Sequence, residues 1–351
     1  MLYKNFIETI GNTPLVKLRN QQKNEGTIYA KMELMNPFGM KDRVAKQMIL
    51  SAKKSGLLKE GMPIIESSSG TMACGLALVG LQLHHKVHIV TDPRIDEITL
   101  AKLESLGCEV HIVTKMDQNG WQGERLKKLK ELLDVYPDAF WTRQYENLDN
   151  PKAYAELAIE LMNDLDKIDV LVGSVGSGGS LSGTAQILKQ VNPKVRVVAV
   201  DSIGSVIFGQ PDRPRRLQGG LGNSLVAPNV NFSIIDEVHW LNDQEAFRAT
   251  LQLAKEEQIF AGNSSGSVYA VAKWIAGRVS ESTNIVGIFP DRGDRYAKSI
   301  YCNSFYEQNH LTLANHLSDH PQKVELDTVV ENWSYTNLMG RNPHAEKNIL
   351  Y

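Results

Sequence analysis

The chain has 351 residues and a formal net charge of −2 at pH 7, from 38 lysines and arginines against 40 aspartates and glutamates. Its length suits two domains of ordinary size, and its balanced charge argues against nucleic-acid binding as the main function. No apolar run approaches the roughly 20 residues of a membrane-spanning helix, so no membrane partner is predicted. The first eight residues contain Glu8 and no small-residue cleavage site, which argues against a signal peptide and predicts a cytoplasmic protein.

The three cysteines, Cys74, Cys108 and Cys302, lie far apart in the sequence. Their number is odd and their spacing matches no metal-binding pattern, so we predict no metal site. Each is interpreted as a small, buried hydrophobic residue.

Short apolar, β-branched runs alternate with longer segments of helical period, which indicates an α/β protein with parallel strands. The predicted strands are residues 27–34, 63–66, 87–91, 109–113, 170–174, 195–201, 232–236 and 285–290. Helices are predicted over residues 99–106 and 151–162. Asn242, followed by Glu245, predicts a capping box at the start of another helix.

The region from Asp134 to Asn150 lacks a clear period and is interpreted as the junction between two domains. From about Leu311 the chain has mixed polarity and weak periodicity, which predicts a C-terminal appendage, residues 311–351. The sequence leaves open whether this appendage packs on the body of the protein or on a partner subunit.

A turn followed by a helix start lies at residues 36–43, Asn-Pro-Phe-Gly-Met-Lys-Asp-Arg. Proline fixes φ and disfavours helix in the residue before it, so Asn36-Pro37 is a turn signal. Lys41 then falls in the first helical turn, where the positive end of the helix dipole disfavours a cation. A cation at this position is common on protein surfaces, but Lys41 is also a candidate functional residue.

The first of three loops rich in glycine and serine follows a predicted strand and contains Ser68, Ser69, Gly70, Thr71 and Met72. In open α/β sheets, ligands bind at the carboxyl ends of the strands. Small hydroxyl residues and free backbone N–H groups at a helix start suit a carboxylate. An ordinary serine N-cap is the alternative interpretation.

The second loop, which we call the glycine-rich loop, consists of Gly176, Ser177, Gly178, Gly179 and Ser180. So many small residues allow a phosphate to approach the backbone closely. Asp201 ends the next predicted strand, where the ribose-binding acid of a dinucleotide site would lie. However, Leu181 stands where that motif needs its third glycine, and no Gly-Lys-Ser/Thr closes a Walker loop. A phosphate site is therefore favoured over a tight structural turn.

The third loop, residues 262–267, includes Ser264 and precedes a predicted helix, so a capped helix start would also explain it. Residues 290–296, Pro-Asp-Arg-Gly-Asp-Arg-Tyr, form a further turn after a strand. The charges of that turn could be ordinary surface turn chemistry.

Taken in order, these segments resemble pyridoxal-phosphate enzymes of the tryptophan-synthase-β fold, most closely the cysteine synthases (O-acetylserine sulfhydrylases). The resemblance covers roughly residues 5–305. Its motifs are residues 10–16 (Ile-Gly-Asn-Thr-Pro-Leu-Val), Lys31-x-Glu33, Asn36-Pro37 with Lys41-Asp42-Arg43, the three loops, and Pro-Asp-x-Gly-x-Arg-Tyr. Residues 201–209 and Trp141-x-x-Gln144-Tyr145-x-Asn147 are similar to a side branch that includes S-sulfocysteine synthase-like enzymes and siderophore-pathway diaminopropionate-precursor synthases.

The resemblance implies a fold-type II enzyme with two three-layer α/β domains and the active site in the cleft between them. Residues 40–146 would form a smaller, mobile domain that carries the first loop. Residues 1–39 and 147–310 would form a larger domain that carries the cofactor's phosphate and pyridine loops. The resemblance also implies a homodimer.

The resemblance further implies a role for each candidate residue. Lys41 would bind pyridoxal 5'-phosphate as a Schiff base and then act as general base at Cα. The glycine-rich loop would hold the phosphate, and Ser264 would hydrogen-bond the pyridine nitrogen, which suits β-elimination. The substrate carboxylate would be bound by Ser68, Ser69, Gly70 and Gln144, with Thr71 and Met72 in the positions of the family's Asn and Thr.

Thr71 stands where the family has an asparagine that contacts the cofactor's phenolic oxygen, and Met72 stands where it has a substrate-contacting threonine. The turn before Lys41 is also one residue shorter than the family's Asn-Pro-x-x-Ser-x-Lys and lacks its serine. These departures bear on which donor substrate is used.

The activity implied is β-replacement on an activated L-serine, O-acetylserine or O-phosphoserine, through an aminoacrylate. A sulfur nucleophile, sulfide or thiosulfate, would give cysteine or a cysteine-like amino acid. Three alternatives remain open: β-elimination, as in serine/threonine dehydratases or cysteine desulfhydrases; an amine nucleophile giving a diaminopropionate precursor; and a non-catalytic, cofactor-binding homologue. Leu225 offers no charge for a second carboxylate, which argues mildly against the amine nucleophile.

Overall fold

The computed structural model describes residues 2–19, 24–117, 120–313 and 319–345. Of the segments interpreted above, Met1 and residues 20–23, 118–119, 314–318 and 346–351 lie outside the described residues. Within the described part of the chain, no helix is both long enough and apolar enough to cross a bilayer.

Twelve strands are defined in the described residues. They are β1 (Leu15–Lys17), β2 (Thr27–Lys31), β3 (Ile64–Ser67), β4 (Val87–Thr91), β5 (Glu109–Ile112), β6 (Phe140–Trp141), β7 (Val170–Ser174), β8 (Arg196–Ser202), β9 (Glu237–Leu241), β10 (Asn284–Ile288), β11 (Gln322–Lys323) and β12 (Ser334–Asn337).

Ten α-helices are defined in the same residues. They are α1 (Lys41–Ser55), α2 (Thr71–Gln82), α3 (Glu97–Leu106), α4 (Gly120–Val135), α5 (Asp149–Lys152), α6 (Ala155–Asp164), α7 (Gly179–Val191), α8 (Asp243–Glu257), α9 (Asn263–Ala276) and α10 (Asn303–Gln308).

The strands form two sheets, an eight-stranded sheet in the order β1-β2-β10-β7-β8-β9-β12-β11 and a four-stranded sheet in the order β5-β4-β3-β6. The run β2-β10-β7-β8-β9 is parallel, as is the whole smaller sheet. Hydrophobic cores cover both faces of the larger sheet, because Val197 and Ala199 belong to one cluster while Val198 and Val200 belong to another. Such two-sided burial is typical of parallel sheets.

Most predicted elements agree with the structure, and the capping box of Asn242 and Glu245 is confirmed at the start of α8. The predicted strand at residues 232–236 is wrong. Residues Phe232–Ile234 form a 3-10 turn, because the Asn231 side chain accepts a hydrogen bond from the Ser233 N–H and so closes a turn. The strand begins only at Glu237, which pairs with Val198.

The predicted helix at residues 151–162 is interrupted, and α5 and α6 replace it. At the break, the Tyr154 N–H donates to Pro151 O, a tighter bond than the α-helical pattern, and the Tyr154 side chain is completely buried.

The described part of the C-terminal segment extends the larger sheet. β12 pairs antiparallel with β9, and Trp333 just before it is buried. The Trp333 indole donates to His239 Nδ1 at 3.1 Å, and the Trp333 backbone N–H donates to the Glu245 carboxylate at 2.8 Å. This segment therefore packs on the body of the same chain.

Candidate active site

Lys41 is the first residue of α1, as the sequence predicts. The Met40 N–H donates to Pro290 O at 2.9 Å, which holds the helix start against the carboxyl end of β10. Gly39 has φ +133°, and a Cβ there would lie 3.1 Å from Pro290 O. Only glycine combines this backbone conformation with so close an approach. The turn therefore fixes Lys41 at the end of the larger sheet.

The Lys41 amine is easier to deprotonate than an ordinary lysine. Burial lowers its pKa from 10.5 to about 8, and the charge of Asp291 acts in the opposite direction. The dominant cause is therefore loss of solvation, in addition to the unfavourable position at the helix start that the sequence showed. With this pKa about a tenth of the amine is neutral at pH 7 and about half at pH 8, and the neutral form suits both a nucleophile and a base.

A buried ion-pair network holds the first turn of α1. Arg43 Nε lies 2.7 Å from one Glu33 oxygen, and Arg43 Nη1 lies 2.8 Å from a Glu160 oxygen. Lys31, itself completely buried, lies 2.8 Å from the other Glu160 oxygen. These contacts join β2, the turn after it, α1 and α6. They fix the part of α1 that presents Lys41.

The carboxylate loop, residues 68–72, connects β3 to α2, and Gly70 is the N-cap of that helix. Gly70 has no side chain with which to cap, so the alternative of an ordinary serine N-cap is wrong. The N–H groups of Thr71 and Met72 precede the first helical-turn bond, from Ala73 N to Gly70 O. They are available to an anion. The loop therefore retains the donors that a substrate carboxylate needs.

Two side chains of this loop point to different surroundings. Thr71 is partly buried, and its Cγ2 would lie 3.4 Å from a Cβ on Gly39, close to the start of α1. Met72 is 2% exposed and belongs to the hydrophobic core. Any substrate contact of Met72 therefore involves its backbone N–H.

Gln144 lies directly beside the carboxylate loop. Its side-chain amide donates to Ser67 O at 3.2 Å, and its backbone N–H donates to the buried Glu66 carboxylate at 3.1 Å. Asn150 Nδ2 donates both to Gln144 O, at 2.6 Å, and to Ser177 Oγ, at 3.1 Å. Asn150 thus connects the segment next to the carboxylate loop with the glycine-rich loop. The sequence did not reveal this link.

The glycine-rich loop runs from the end of β7 into α7, with Gly178 at φ +81° as N-cap. A Cβ on Gly178 would lie 2.5 Å from Val230 Cγ2, and one on Gly179 would lie 2.0 Å from Asn150 Oδ1. The first α-helical bond runs from Ser182 N to Gly178 O, so the N–H groups before it have no intrahelical acceptor. The loop therefore needs its glycines for packing and also offers an anion site.

Ser264 lies in the first turn of α9 and is 1% exposed. Its hydroxyl has no hydrogen-bond partner within the described protein. The Ser264 hydroxyl faces Gly220 and would lie 3.7 Å from a Cβ added to that glycine. The carbonyl oxygen of Gly220 in turn lies next to Gly176 of the glycine-rich loop. A buried hydroxyl without a partner is costly, and Ser265 and Ser267 of the same helix share this feature. Ser264 differs from them in facing Gly220 beside the glycine-rich loop, where a ligand could satisfy it.

Residues 290–296 are not an ordinary surface turn. Asp291 and Tyr296 are both buried, and the Tyr296 hydroxyl donates to Asp291 Oδ2 at 2.9 Å. Burial raises the pKa of the Asp291 carboxyl, whereas the Arg295 charge lowers it. Arg295 also reaches the carboxylate loop, 2.9 Å from a Cβ on Gly70. The interpretation as solvent-exposed charges is therefore wrong for Asp291 and Arg295.

Comparison with known proteins identifies the family. Residues 7–291 match the model of the family described as "Pyridoxal-phosphate dependent enzyme". The chain belongs to this family. The predicted cofactor, pyridoxal 5'-phosphate, and the predicted mixed α/β fold of type II are thereby confirmed.

Three solved structures are similar to this chain over most of their length. The O-acetylserine-dependent cystathionine beta-synthase of Helicobacter pylori is 32% identical, with a TM-score of 0.79 over 85% of this chain and 98% of that one. An O-ureido-L-serine synthase is 30% identical, with a TM-score of 0.81 over 86% and 96%. The O-acetylserine sulfhydrylase isoform 3 of Entamoeba histolytica is 32% identical, with a TM-score of 0.80 over 86% and 92%.

The residues present fit the cofactor. The free N–H groups of the glycine-rich loop would bind its phosphate, the unpartnered Ser264 hydroxyl would hydrogen-bond its pyridine nitrogen, and the Lys41 amine would bind its aldehyde carbon. When bound, the cofactor supplies an electron sink for chemistry at the Cα of an amino acid.

Replacing Ser264 with alanine is expected to weaken cofactor binding about two- to thirteenfold, since a hydrogen bond contributes about 0.5–1.5 kcal/mol. The measurement is the cofactor dissociation constant, obtained by titrating cofactor-free protein and following the visible absorbance. Ser265→Ala, one residue along the same helix, is the comparison. An equal loss in both variants would assign the effect to the helix as a whole and not to the Ser264 hydroxyl.

Proposed function

We propose that the chain catalyses β-replacement on an activated L-serine, O-acetylserine or O-phosphoserine, with sulfide or thiosulfate as nucleophile. The product would be cysteine or a cysteine-like amino acid. Support comes from the site geometry and from the similar proteins, two of which are named for O-acetylserine. Segments 201–209 and 141–147 favour the side branch that contains S-sulfocysteine synthase-like enzymes. We also infer a cytoplasmic homodimer with the domain limits given above.

The observation that carries this proposal is the proximity of two helix starts. Lys41 begins α1 and Thr71 begins α2, and Gly39, two residues before Lys41, lies so close to Thr71 that an added Cβ would be 3.4 Å from Thr71 Cγ2. An amino acid whose carboxylate binds the uncapped start of α2 would have its Cα near the Lys41 amine. Lys41 is then placed to remove the Cα proton.

Ser264 favours elimination over transamination. A hydroxyl can hydrogen-bond the pyridine nitrogen without protonating it, which leaves the cofactor a weaker electron sink. Loss of acetate or phosphate from Cβ would then follow removal of the Cα proton. The sulfur nucleophile takes the place of the leaving group at Cβ, and Lys41 returns the proton to Cα.

A spectral titration of the cofactor-bound protein tests this function. O-acetylserine, O-phosphoserine and cysteine are added in separate experiments while the visible absorbance of the cofactor is followed. We expect one of the two activated serines to convert the spectrum fully, and sulfide or thiosulfate to restore it with release of a sulfur amino acid.

Each other outcome favours a different function. Pyruvate formed without a nucleophile would favour β-elimination, and recovery of the spectrum with an amino-acid nucleophile but not with sulfide would favour a diaminopropionate precursor. Amino-acid binding without further reaction would favour a non-catalytic homologue. If neither activated serine changes the spectrum, the proposed function is wrong.

A further inference from the structure

Two histidines and a glutamate lie together on the smaller sheet, away from the candidate active site. His88 is on β4, and Glu109 and His111 are on the neighbouring strand β5. His88 and Glu109 are paired directly across the strands, and His111 pairs with Val90, two residues along. Because side chains alternate between the faces of a strand, all three lie on one face. That face is covered by α4, whose end precedes Tyr136, and the Tyr136 ring is 4.7 Å from His88.

From this cluster we propose that His88, Glu109 and His111 bind a divalent transition-metal ion of the zinc type. The cysteine spacing in the sequence predicts no metal site, and it carries no information about histidines and carboxylates that meet across two strands. The ligand set now inferred is two imidazoles and one carboxylate, with solvent completing the coordination. Its role is structural, because it joins the edge strand β5 to β4.

Two of the three distances between the donor atoms fit a tetrahedral ion, although the shorter one is also within hydrogen-bond range. Zinc–nitrogen bonds of about 2.0–2.1 Å at tetrahedral angles place neighbouring ligand atoms about 3.3 Å apart. His88 Nδ1 lies 3.2 Å from His111 Nε2 and 3.4 Å from a Glu109 oxygen. The donor atoms of all three residues lie within 4.8 Å of one another. A shift of about an ångström of the exposed Glu109 side chain would complete the geometry.

Ordinary hydrogen bonding leaves this cluster incompletely satisfied. A charge-assisted bond between imidazole and carboxylate is about 2.7–2.9 Å long, and the distance of 3.4 Å between His88 and Glu109 exceeds this. His88 is completely buried, so its Nδ1 depends for a partner on His111 and Glu109 or on an ion bound between them.

Access and charge are both compatible with an ion. Half of the Glu109 side chain is exposed, and His111 lines a surface groove of about 290 Å³ together with Glu124 and Lys128. The Lys128 charge opposes a cation, but its ammonium lies 3.2 Å from the carboxylate of Glu131 on the same helix. An ion can therefore enter from solvent along this groove.

Metal binding by the full-length, cofactor-bound protein tests the proposal. After incubation with Zn²⁺ and dialysis, elemental analysis is expected to find about one equivalent of metal per chain. His111→Asn and Glu109→Gln are expected to retain less than a tenth of it. His84→Asn, a matched change at an exposed histidine on the loop before β4, is expected to retain all of it.

Two further readouts separate this site from adventitious binding. Co²⁺ in place of Zn²⁺ is expected to give the intense visible bands of a tetrahedral site in the native protein but not in His111→Asn. Zn²⁺ is expected to raise the melting temperature of the native protein and of His84→Asn by several degrees and to leave that of His111→Asn unchanged. Failure of the native protein to retain metal, or equal retention by His111→Asn, would overturn the proposal.

Discussion

Replacing Lys41 with alanine is expected to lower kcat/KM for the activated serine by at least about a thousandfold, because one amine serves as both cofactor ligand and general base. The cofactor would remain held only by non-covalent contacts, so the visible band of the resting protein is expected to shift towards that of free cofactor. Steady-state kinetics and absorbance spectra measure the two effects. Lys54→Ala, at the exposed end of the same helix, is the control and should keep full activity.

The pH dependence of the native protein gives a second readout of Lys41. Because burial lowers the pKa of its amine to about 8, the neutral, reactive form increases as the pH rises towards 8 and is nearly complete above 9. The rate at which cofactor-free protein takes up cofactor should therefore rise with pH, reach half its maximum near pH 8 and level off above about pH 9. A rate that continues to rise as the pH approaches 10.5, the ordinary pKa of a lysine, would show that Lys41 is not desolvated. Full activity in Lys41→Ala would disprove the catalytic role of Lys41.

Much of this site could be predicted from the sequence because its parts are local. Asn36-Pro37 marks the turn before Lys41, and the uncapped starts of α2 and α7 follow from small residues directly after strands. Each of these features depends on residues close together in the chain. Turn chemistry and helix capping act over the same short range. The carboxylate loop of this chain differs from the family's sequence, but its position after a strand was still enough to identify it.

The remainder depends on contacts between distant segments. Asp291 reads as a surface charge in the sequence, and only the packing of Tyr296 and of Gly262 against it shows that it is buried. Asn150 links the two loops through Gln144 O and Ser177 Oγ, neither of which has a sequence signature. The pairing of β12 with β9 likewise joins segments far apart in the chain. Periodicity and spacing carry no information about such contacts.

Replacing Arg43 with methionine is expected to lower the free energy of unfolding by about 3–5 kcal/mol, the usual cost of removing one partner of a buried ion pair. Glu33 is completely buried, and among the described residues its carboxylate without Arg43 would keep the hydrogen bonds from Thr13 and Asn36 alone. Denaturant unfolding measures the change. Arg213→Met is the control, since Arg213 pairs with Glu331 at an exposed site, where a salt bridge contributes about 0–1 kcal/mol.

A double variant separates the loss of charge pairing from the loss of side-chain packing. Arg43→Met with Glu33→Gln leaves no buried, unpaired carboxylate at that position, so it is expected to be more stable than Arg43→Met alone. If the double variant is no more stable, the cost of the single change lies in packing and not in the buried charge.

The decrease of the free energy of unfolding at low pH reports on the same ion-pair network. Burial acts to raise the pKa of Glu160, but the hydrogen bonds and charge of Arg43, together with Lys31, lower it to about 2. The ordinary value is 4.5, so this stabilisation is fully present above about pH 4.5 and is lost as the pH falls towards 2. Without Arg43 the pKa of Glu160 in the folded protein should move closer to its ordinary value of 4.5. The free energy of unfolding should then decrease less as the pH is lowered. An unchanged decrease at low pH in Arg43→Met would mean that Lys31 alone sets the Glu160 pKa, and that Arg43 serves mainly Glu33 and the start of α1.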